Sequence, residues 1–366
     1  MSILTLSIQQ FRNIITSEFH CSPHFNLFFG DNAAGKTSIL EAIYYLGTGK
    51  SFRTHHHDRV IQHDETQLTL FARLNGESPA AIGLQRSLEG TIRIRINEED
   101  IRSVAEISRY LPIQFIGSDS HRILSDGPKY RREFLDWGLF HSCPSFFPQW
   151  KTFQKLLVQR NAALKARAPQ DELAIWNHEF ALAGEALHSL RQAYIDDFSP
   201  VFNEIMAVLL KDIPILLDYL PGWSPIFTLE ACLTQHVSRE TLVGHSLYGP
   251  QRADLSLTIN KLPAQDGLSQ GQRKLVSYAL RLAQGIHLQS TTGKTPVYLI
   301  DDLPSELDPQ KRSLVTEILT HLSAQVFITG IECCDLTEIL ALSQDNCMFH
   351  VEHGTVTEQV REDCFT

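Results

Sequence analysis

The sequence predicts an α/β fold in which a head domain with a phosphate-binding sheet is interrupted by a mainly helical insertion. Three observations predict it: a short strand, glycine loop and helix at residues 25–46, a helical pattern at 131–210, and a buried strand ending in two carboxylates at 296–302. The expected boundaries are 1–128 for the N-terminal part of the head, 129–225 for the insertion and 226–366 for the C-terminal part of the head.

The N-terminal part of the chain predicts strands, one of which leads into a helix. Apolar and polar residues alternate over residues 4–8, which is the pattern of a half-buried strand. The apolar run 25–29 ends at Gly30, and apolar residues then recur at helical spacing over 39–46. Further strands are expected at residues 67–74, 81–87 and 91–96.

The middle of the chain predicts helices. Ala, Leu, Gln and Glu dominate residues 131–210, where long alternating strands are missing. Because proline disrupts a helix interior, four prolines are expected to mark helix boundaries: Pro144, Pro148, Pro169 and Pro200. Beyond them we expect strands at 226–229, 254–259, 297–300 and 325–329, and helices after Gly271 and at 309–322.

Length and composition are typical of a soluble globular protein. The chain has 366 residues, 43% hydrophobic and 20% charged, which excludes collagen-like and wholly disordered proteins. It has no apolar run of about eighteen residues and no signal-peptide features, so we expect a cytoplasmic protein without a transmembrane helix. The seven cysteines lack a C-x-x-C pair, which favours a reducing compartment and argues against a zinc site: Cys21, Cys143, Cys232, Cys333, Cys334, Cys347 and Cys364.

The formal net charge of −10 argues against a dedicated nucleic-acid coat protein, because such proteins are usually basic. One stretch reverses the sign. Between residues 121 and 167, nine Lys and Arg residues oppose three Asp and Glu residues, which gives a local balance of +6. A solvated helix surface and a phosphate-binding surface both fit this pattern, so the residues alone leave both interpretations open.

The segment from Gly30 to Thr37 matches the phosphate-binding motif G-x-x-x-x-G-K-[ST] in full, between a strand and a helix. Glycine lets backbone N–H groups approach a phosphate closely, and the following helix presents its positive end to the anion. Lys36 is expected to reach the β- and γ-phosphates and to act in catalysis, while the Thr37 hydroxyl binds Mg²⁺. The predicted nucleotide site is Gly30, Asp31, Asn32, Ala33, Ala34, Gly35, Lys36, Thr37 and Ser38.

Two carboxylates follow the buried strand at residues 297–300. A carboxylate at the end of a central parallel strand can hold Mg²⁺, directly or through water, and we assign this role to Asp301. Asp302 is assigned to orienting and deprotonating the attacking water, which makes it the expected catalytic base. Asp308 precedes Pro309 and, taken alone, fits a helix N-cap.

A second glycine motif, Leu268-Ser269-Gln270-Gly271-Gln272, precedes a helix upstream of the acidic strand. Its order with the phosphate loop, the acidic strand and Asp308 resembles the Walker A, signature, Walker B and D-loop series of ABC-type ATPases. In those proteins the signature Ser and Gly contact the γ-phosphate held by the opposite subunit. The resemblance therefore implies ATP as the nucleotide, an ATP-dependent homodimer, and nucleotide contacts from Ser269, Gly271, Gln272 and Asp308.

Several shorter motifs narrow the match: Phe11-Arg12-Asn13, Ser51-Phe52-Arg53, the segment 127–136, Gln159-Arg160-Asn161, and Ile300-Asp301-Asp302 with the segment 305–308. They resemble the RecF family, in the SMC-like branch of ABC-type ATPases. The similarity runs from the start of the chain to about Gly354, and it implies an ABC/SMC-like ATPase head with a helical arm. It also implies that Asn13 belongs to the nucleotide site and that the basic stretch binds DNA through Lys129, Arg131, Arg132, Lys151, Lys155 and Arg160.

Three positions depart from the patterns of these families. Gln251 stands where the RecF family usually has His in G-P-H-x-x-D-L, and glutamine neither titrates nor carries charge. Many ABC ATPases have a switch His after the strand that follows Walker B, whereas here Thr329 is the nearest polar residue. Asp302 replaces the Glu of most ABC ATPases, and because it is shorter by one methylene we expect slow hydrolysis.

The resemblance implies an ATP-dependent DNA-binding protein of recombinational repair. ATP would close two heads on DNA at gaps or single-strand/double-strand junctions, and weak DNA-stimulated hydrolysis would reopen them. RecO and RecR are the implied partners, and RecA is the recombinase whose loading is assisted. Two other classes share the phosphate loop: the nucleotide-binding subunit of an ABC transporter and a small-molecule kinase. The helical insertion argues against the former and the signature motif against the latter.

Overall fold

The structure, a computed structural model, describes residues 2–76, 79–332, 339 and 345–359, so Cys333, Cys334 and Cys364 lie outside the described residues. Contacts divide the chain into two units. The first comprises residues 1–120 and 288–366, and the second comprises residues 121–287. No helix in the described part of the chain combines the length and the apolar character that crossing a membrane requires.

Strands and helices alternate at both ends of the chain, and helices dominate its middle. Up to residue 116 the elements are β1 (Ser2–Phe11), β2 (Ile14–His20), β3 (Phe25–Phe29), α1 (Lys36–Thr48), β4 (Gln67–Asn75), β5 (Ala80–Ser87), β6 (Ile92–Ile96), β7 (Glu99–Ile101), α2 (Val104–Tyr110) and β8 (Ile113–Ile116). Then come α3 (Arg122–Ser125), α4 (Pro128–Ser142), α5 (Phe146–Lys165), α6 (Gln170–Leu209), β9 (Leu216–Leu220), α7 (Leu229–Val243), β10 (Asp254–Ile259), β11 (Leu262–Pro263), α8 (Ala264–Gly267) and α9 (Gln270–Thr292). The last elements are β12 (Val297–Ile300), α10 (Leu303–Glu306), α11 (Pro309–His321), β13 (Val326–Thr329), β14 (Asn346–Glu352) and β15 (Thr355–Gln359).

The first unit contains two six-stranded sheets. One is antiparallel, with the order β2-β1-β4-β5-β6-β7. The other has the order β15-β14-β3-β13-β12-β8, in which all neighbours are parallel except the edge pair of β14 and β15. Side chains from both sheets and from α1 share one hydrophobic core. Because β3, β12 and β13 are parallel, the loops that follow them meet at one edge of the second sheet.

The second unit is built of helices and a three-stranded antiparallel sheet with the order β11-β10-β9. Its limits differ from the predicted insertion at residues 129–225. Residues 226–287 belong to this unit because α7 packs against α5 and α6, and β10 pairs with β9. Strand–strand pairing across the predicted boundary is not visible in a linear pattern, which explains the difference.

Most predicted elements are confirmed, including the strands 67–74, 81–87, 254–259 and 297–300. Two predictions are wrong. Residues 226–229 form no strand, since Leu229 begins α7 and the Thr228 side chain caps that helix by accepting a hydrogen bond from the backbone N–H of Ala231 at 3.2 Å. Pro200 is no boundary but lies inside the 40-residue α6, where packing of a long apolar face outweighs the lost backbone donor.

Candidate nucleotide-binding site

The phosphate loop connects the end of β3 to the start of α1. Its backbone has positive φ at Gly30 (143°), Ala33 (66°) and Gly35 (123°), so it curls back on itself before the helix begins. A Cβ atom on Gly30 would overlap the carbonyl oxygen of Val351 in β14. Glycine at position 30 is therefore required both by the backbone conformation and by the neighbouring strand.

Asn13 packs against the outside of this loop. Its Nδ2 atom donates to the carbonyl oxygen of Ala34 at 3.2 Å, and the backbone N–H of Gly354 donates to the same oxygen at 2.7 Å. A Cβ on Gly35 would lie only 2.9 Å from Asn13 Nδ2. Asn13 therefore fixes the loop through Ala34, and its place in the nucleotide site stays a prediction.

Lys36 folds back onto the loop that carries it. Its Nζ atom donates to the carbonyl oxygens of Gly30 at 2.5 Å and Asp31 at 2.9 Å. Burial lowers the pKa of Lys36 below its ordinary value, and the negative charges of Asp302, Asp301 and Asp31 act in the opposite direction. The predicted cation therefore faces both predicted carboxylates.

Asp301 is held by hydroxyl groups from the start of α1 and the end of β13. Thr37 Oγ1 donates to its carboxylate oxygens at 2.9 and 3.2 Å, and Thr329 Oγ1 donates to Oδ1 at 2.8 Å. Burial raises the pKa of Asp301, and the hydrogen bonds from Thr329 and Thr37 oppose that rise. Thr329 Oγ1 also accepts from the backbone N–H of Asp302 at 2.8 Å. One hydroxyl thus orients both carboxylate residues.

The donors around Asp301 fit a magnesium ion. Mg²⁺ prefers oxygen ligands and is commonly bound by one or two carboxylates together with waters and phosphates of the substrate. The Thr37 hydroxyl and the Asp301 carboxylate already lie within 2.9 Å of each other beside the phosphate loop. Both are hard oxygen donors, and both line the cavity beside the phosphate loop.

A cavity of about 1270 Å³ opens beside the phosphate loop. Its lining contains nine predicted residues: Asn13, Asn32, Ala33, Gly35, Lys36, Thr37, Ser38, Asp301 and Asp302. Gly30, Asp31 and Ala34 support the loop through backbone contacts. This volume exceeds that of most small-molecule pockets and accommodates a nucleoside triphosphate.

Residues that the sequence analysis missed also line the cavity. They come from the 3₁₀ turn His57–Val60 and the segment after it, and include Asp58, Arg59, Ile61, Gln62, Thr66 and Leu88. No spacing motif marks this segment. The apolar Ile61 next to polar neighbours was the only signal, and it also fits an ordinary surface turn.

The signature segment begins α9 in the second unit, and Ser269, Gln270 and Gly271 are exposed. The backbone N–H of Ser269 donates to Gln272 Oε1 at 2.8 Å, and the N–H of Gln272 donates to Ser269 Oγ at 3.3 Å, a reciprocal cap. No described atom lies within 4 Å of the place where a Cβ on Gly271 would be. Asp308 caps α11 by accepting from the backbone N–H of Lys311 at 2.9 Å, which confirms the N-cap interpretation.

The predicted DNA contacts separate into exposed and structural residues. Lys129, Lys151 and Lys155 are exposed on α4 and α5. Arg131 instead pairs with Asp254 at 2.6 Å, and Arg132 Nη1 donates to the carbonyl oxygen of Ala253 at 2.8 Å. Both arginines are partly buried, so they fix the segment around β10 rather than stand free on the surface.

The prediction for Arg160 is wrong, because its side chain is completely buried. It pairs with Glu240, which is also fully buried, at 2.5 Å. Its other nitrogens donate to Asn177 Oδ1 at 2.8 Å and Ser246 Oγ at 2.6 Å. A guanidinium with these partners has a structural role and does not meet a DNA phosphate.

Gln251, at the family's usual His position, is turned toward its own loop. Its Nε2 atom donates to the carbonyl oxygen of Tyr248 at 2.9 Å. Its Oε1 atom is buried without a hydrogen-bond partner among the described residues. The amide therefore serves the local turn.

Comparisons with known proteins decide the family. The family described as "RecF/RecN/SMC N terminal domain" matches residues 2–355. The "DNA replication and repair protein RecF" of Coxiella burnetii (strain RSA 493 / Nine Mile phase I) is 45% identical over 353 residues, which cover 96% of this chain and 98% of that protein. This chain belongs to the RecF family. The RecF protein of Shewanella oneidensis is 41% identical over 358 residues, which cover 98% of this chain and 99% of that protein.

Solved structures agree with the RecF assignment at the level of the fold. The structure of "the recombination mediator protein RecF-ATP in RecFOR pathway" has a TM-score of 0.86 and 24% identity, and the match covers 98% of this chain and 97% of that chain. An SMC head bound to the C-terminal winged-helix domain of ScpA has a TM-score of 0.62 and 15% identity, with 100% and 99% coverage. The predicted α/β ABC/SMC-like head fold with a helical insertion is confirmed.

Proposed function

We propose that this RecF-family protein is an ATP-dependent DNA-binding protein of recombinational repair with weak DNA-stimulated ATPase activity. The main support is that Lys36, Thr37, Asp301 and Asp302 line one cavity beside the phosphate loop. A relative is named for DNA replication and repair, and a similar fold is named for RecF-ATP in the RecFOR pathway. Family membership supports neither the transporter subunit nor the small-molecule kinase.

The chemistry follows from the positions of these side chains. Lys36 places its ammonium against the β- and γ-phosphates, while Thr37 and Asp301 are the residues that would hold Mg²⁺. When bound, the ion supplies positive charge that stabilises the transferring phosphoryl group. Asp302 orients the attacking water and accepts its proton. Its side chain is shorter than the glutamate of most ABC ATPases, which supports slow turnover.

The exposed start of α9 supports a role for the signature segment in contacting a second copy. Glycine in a helix interior lowers the stability of the helix by about 1 kcal/mol relative to alanine, so a glycine near the start of α9 calls for an explanation. Gly271 has no neighbour that excludes a Cβ within the described residues. The absence of a side chain at Gly271 would therefore let a ligand bound to a second copy approach the backbone closely. We assign contacts with the γ-phosphate bound by a partner copy to Ser269, Gly271, Gln272 and Asp308.

The wider assignment follows the family resemblance. We place the protein in the cytoplasm with duplex and gapped DNA as its substrate, RecR and RecO as partners, and RecA as the recombinase that benefits. Exposed lysines of the second unit supply the phosphate contacts: Lys129, Lys151 and Lys155.

The decisive experiment is sedimentation of the full chain with and without ATP and Mg²⁺. We expect a dimer of the wild type only with ATP. Ser269→Arg should stay monomeric while its affinity for ATP is retained, and Lys36→Ala should lose ATP binding itself. The matched control is Ser238→Arg, an equally exposed serine on α7, which should dimerise as the wild type does. An ATP-dependent dimer of unchanged stability in Ser269→Arg would refute the shared-site mechanism.

A further inference from the structure

Glu41 is a fully buried carboxylate on α1, the helix that follows the phosphate loop. Its relative exposure is 0%, and its neighbours Leu40 and Ala42 are equally buried. An ionised carboxylate in such surroundings is strongly unfavourable unless it is paired and hydrogen-bonded. The partners of Glu41 therefore indicate the role of its carboxylate.

Four donor atoms from three residues in two chain segments converge on Glu41. Arg12 donates through Nε at 2.9 Å and through Nη2 at 2.6 Å, as a two-pronged contact. Ser51 Oγ donates at 2.5 Å, and Arg53 Nη1 donates at 3.4 Å. Both motifs that resembled the RecF family near the N-terminus, at 11–13 and 51–53, thus meet on one side chain.

Arg12 extends this network to the turn His57–Val60, which also lines the cavity. Its Nη1 atom donates to the carbonyl oxygen of Arg59 at 2.6 Å, in the turn His57–Val60. Its backbone has a φ of 55°, a left-handed conformation that a non-glycine residue adopts only when its surroundings enforce it. Glu41 therefore connects α1 with the turn His57–Val60 through Arg12.

The segment that carries Arg53 is also fixed by Glu41. Ser51, which donates to Glu41, accepts in turn from the backbone N–H groups of Arg53 at 2.9 Å and Thr54 at 3.0 Å. Phe52 stacks on Phe115 of β8 with ring centroids 3.8 Å apart. The Arg53 side chain is 48% exposed and lines the cavity. Its Nη1 atom contacts Glu41, and the exposed part of the guanidinium is accessible from the cavity.

The charge balance of the cavity makes the position of these arginines important. Acidic residues outnumber Lys and Arg residues in its lining: Asp58, Asp64, Glu65, Asp301, Asp302 and Glu306 against Arg12, Lys36, Arg53 and Arg59. A triphosphate is itself strongly anionic. Its binding therefore depends on cations held at defined places, and a flexible arginine loses more entropy on binding than a fixed one.

We propose that Glu41 is a positioning residue for the nucleotide, which holds the guanidinium groups of Arg12 and Arg53 on the cavity wall where the phosphates bind. Glu41 itself lies behind the wall and does not touch the ligand. This inference rests on the ATP site proposed above.

The test measures the affinity of the full chain for fluorescently labelled ATP in Glu41→Gln, Arg53→Gln and the double variant. Glu41→Gln keeps the size of the side chain and removes its charge, and we expect affinity to fall on the order of tenfold. Because Glu41 acts through Arg53 and Arg12, the double variant should bind ATP only slightly less tightly than the single variant with the lower affinity. Fully additive losses would show that Glu41 does not act through Arg53 and would overturn the proposal that it positions this arginine.

A matched control is Glu240→Gln in the second unit. Glu240 is also fully buried and pairs with an arginine, so its substitution should lower the melting temperature but leave the affinity for ATP unchanged. Where Glu41→Gln does not fold, Ser51→Ala removes one anchor of the Arg53 segment without uncovering a charge and should weaken ATP binding severalfold. Unchanged affinity in the folded variants, with Lys36→Ala still defective, overturns the role of Glu41. Failure of the wild type to bind ATP refutes the proposed function instead.

Discussion

At the scale of single residues, the proposed magnesium site depends on the protonation of Asp301. Burial favours its protonated form, and the hydroxyls of Thr37 and Thr329 favour the carboxylate. Mg²⁺ would bind only the ionised form, so in the proposed site the two threonines would act on metal binding through the protonation of Asp301. Thr329 is the last residue of the strand after which many ABC ATPases have a switch histidine. Unlike histidine, its hydroxyl donates to Asp301 without changing its own charge.

We predict that Thr329→Val shifts the pH dependence of Mg²⁺-stimulated hydrolysis to higher pH. Loss of a hydroxyl donor raises the pKa of Asp301 further, so a higher pH is needed to ionise it. The rate at neutral pH should also fall on the order of tenfold, which corresponds to the loss of one hydrogen bond to a charged group. Steady-state rates across a pH series check this.

The control for this prediction is Thr320→Val on α11, where the hydroxyl only donates to a carbonyl oxygen of its own helix. It should keep the wild-type pH profile. A Thr329→Val enzyme whose profile superimposes on that of the wild type would show that Thr329 does not govern the ionisation of Asp301.

Motif spacing located the residues that a local pattern can specify. Lys36 and Thr37 follow from the loop motif, and Asp301 follows from a buried strand end. Glu41 and Arg59 could not be recognised, because their roles arise from contacts with segments 12 and 53 that no linear pattern joins. The one signal for Glu41 in the sequence was an acidic residue between apolar residues of a predicted helix.

At the scale of elements, the helices of the second unit are joined by a buried polar network. Arg160 on α5 contacts Asn177 on α6 and Glu240 on α7, and Glu240 Oε1 accepts from the backbone N–H of Leu247 at 2.7 Å. The sequence analysis placed Arg160 on a DNA surface because its neighbours are basic. Its partner is 80 positions away, so nothing local distinguishes it from an exposed arginine.

We predict that Glu240→Leu destabilises the second unit by about 3–5 kcal/mol, because it leaves the Arg160 charge buried and unpaired. Arg160→Met combined with Glu240→Leu should cost clearly less than Glu240→Leu alone. Urea unfolding followed by tryptophan fluorescence measures this selectively, since all four tryptophans lie in the second unit: Trp137, Trp150, Trp176 and Trp223.

The exposed ion pair between Lys129 and Glu133, at 3.9 Å, serves as the comparison. Its removal by Glu133→Ala should change stability by less than about 1 kcal/mol. A double variant at positions 160 and 240 as unstable as Glu240→Leu would contradict the buried-pair explanation.

At the scale of the whole molecule, a net charge of −10 means that any affinity for DNA must be local. Exposed lysines on α4 and α5 provide such a region, whereas Arg131, Arg132 and Arg160 are engaged in the fold. Composition could indicate this basic stretch but could not sort its members. The sorting requires burial, which depends on how α5, α6 and α7 pack.

We predict that the triple variant Lys129→Glu, Lys151→Glu and Lys155→Glu weakens duplex DNA binding and flattens its salt dependence. The slope of log K against log salt should fall by roughly one for each lysine that contacts a phosphate. Fluorescence anisotropy over a salt series measures both effects, and ATP affinity should be unchanged.

A second triple variant controls for the altered net charge. Lys211→Glu, Arg239→Glu and Lys261→Glu reverse three exposed charges elsewhere in the same unit. If both triple variants weaken DNA binding alike, the effect is one of total charge, and the assignment of α4 and α5 is incorrect.

The final hairpin of β14 and β15 gives the phosphate loop two of its supports, at Val351 beside Gly30 and at Gly354 beside Ala34. Both supports follow the loop, the signature segment and the acidic strand in the order of the chain. During synthesis these motifs are therefore made before the hairpin that supports the loop. We therefore expect a chain truncated before residue 345 to keep those motifs but to lack both supports of the loop, and to bind ATP more weakly than the full chain.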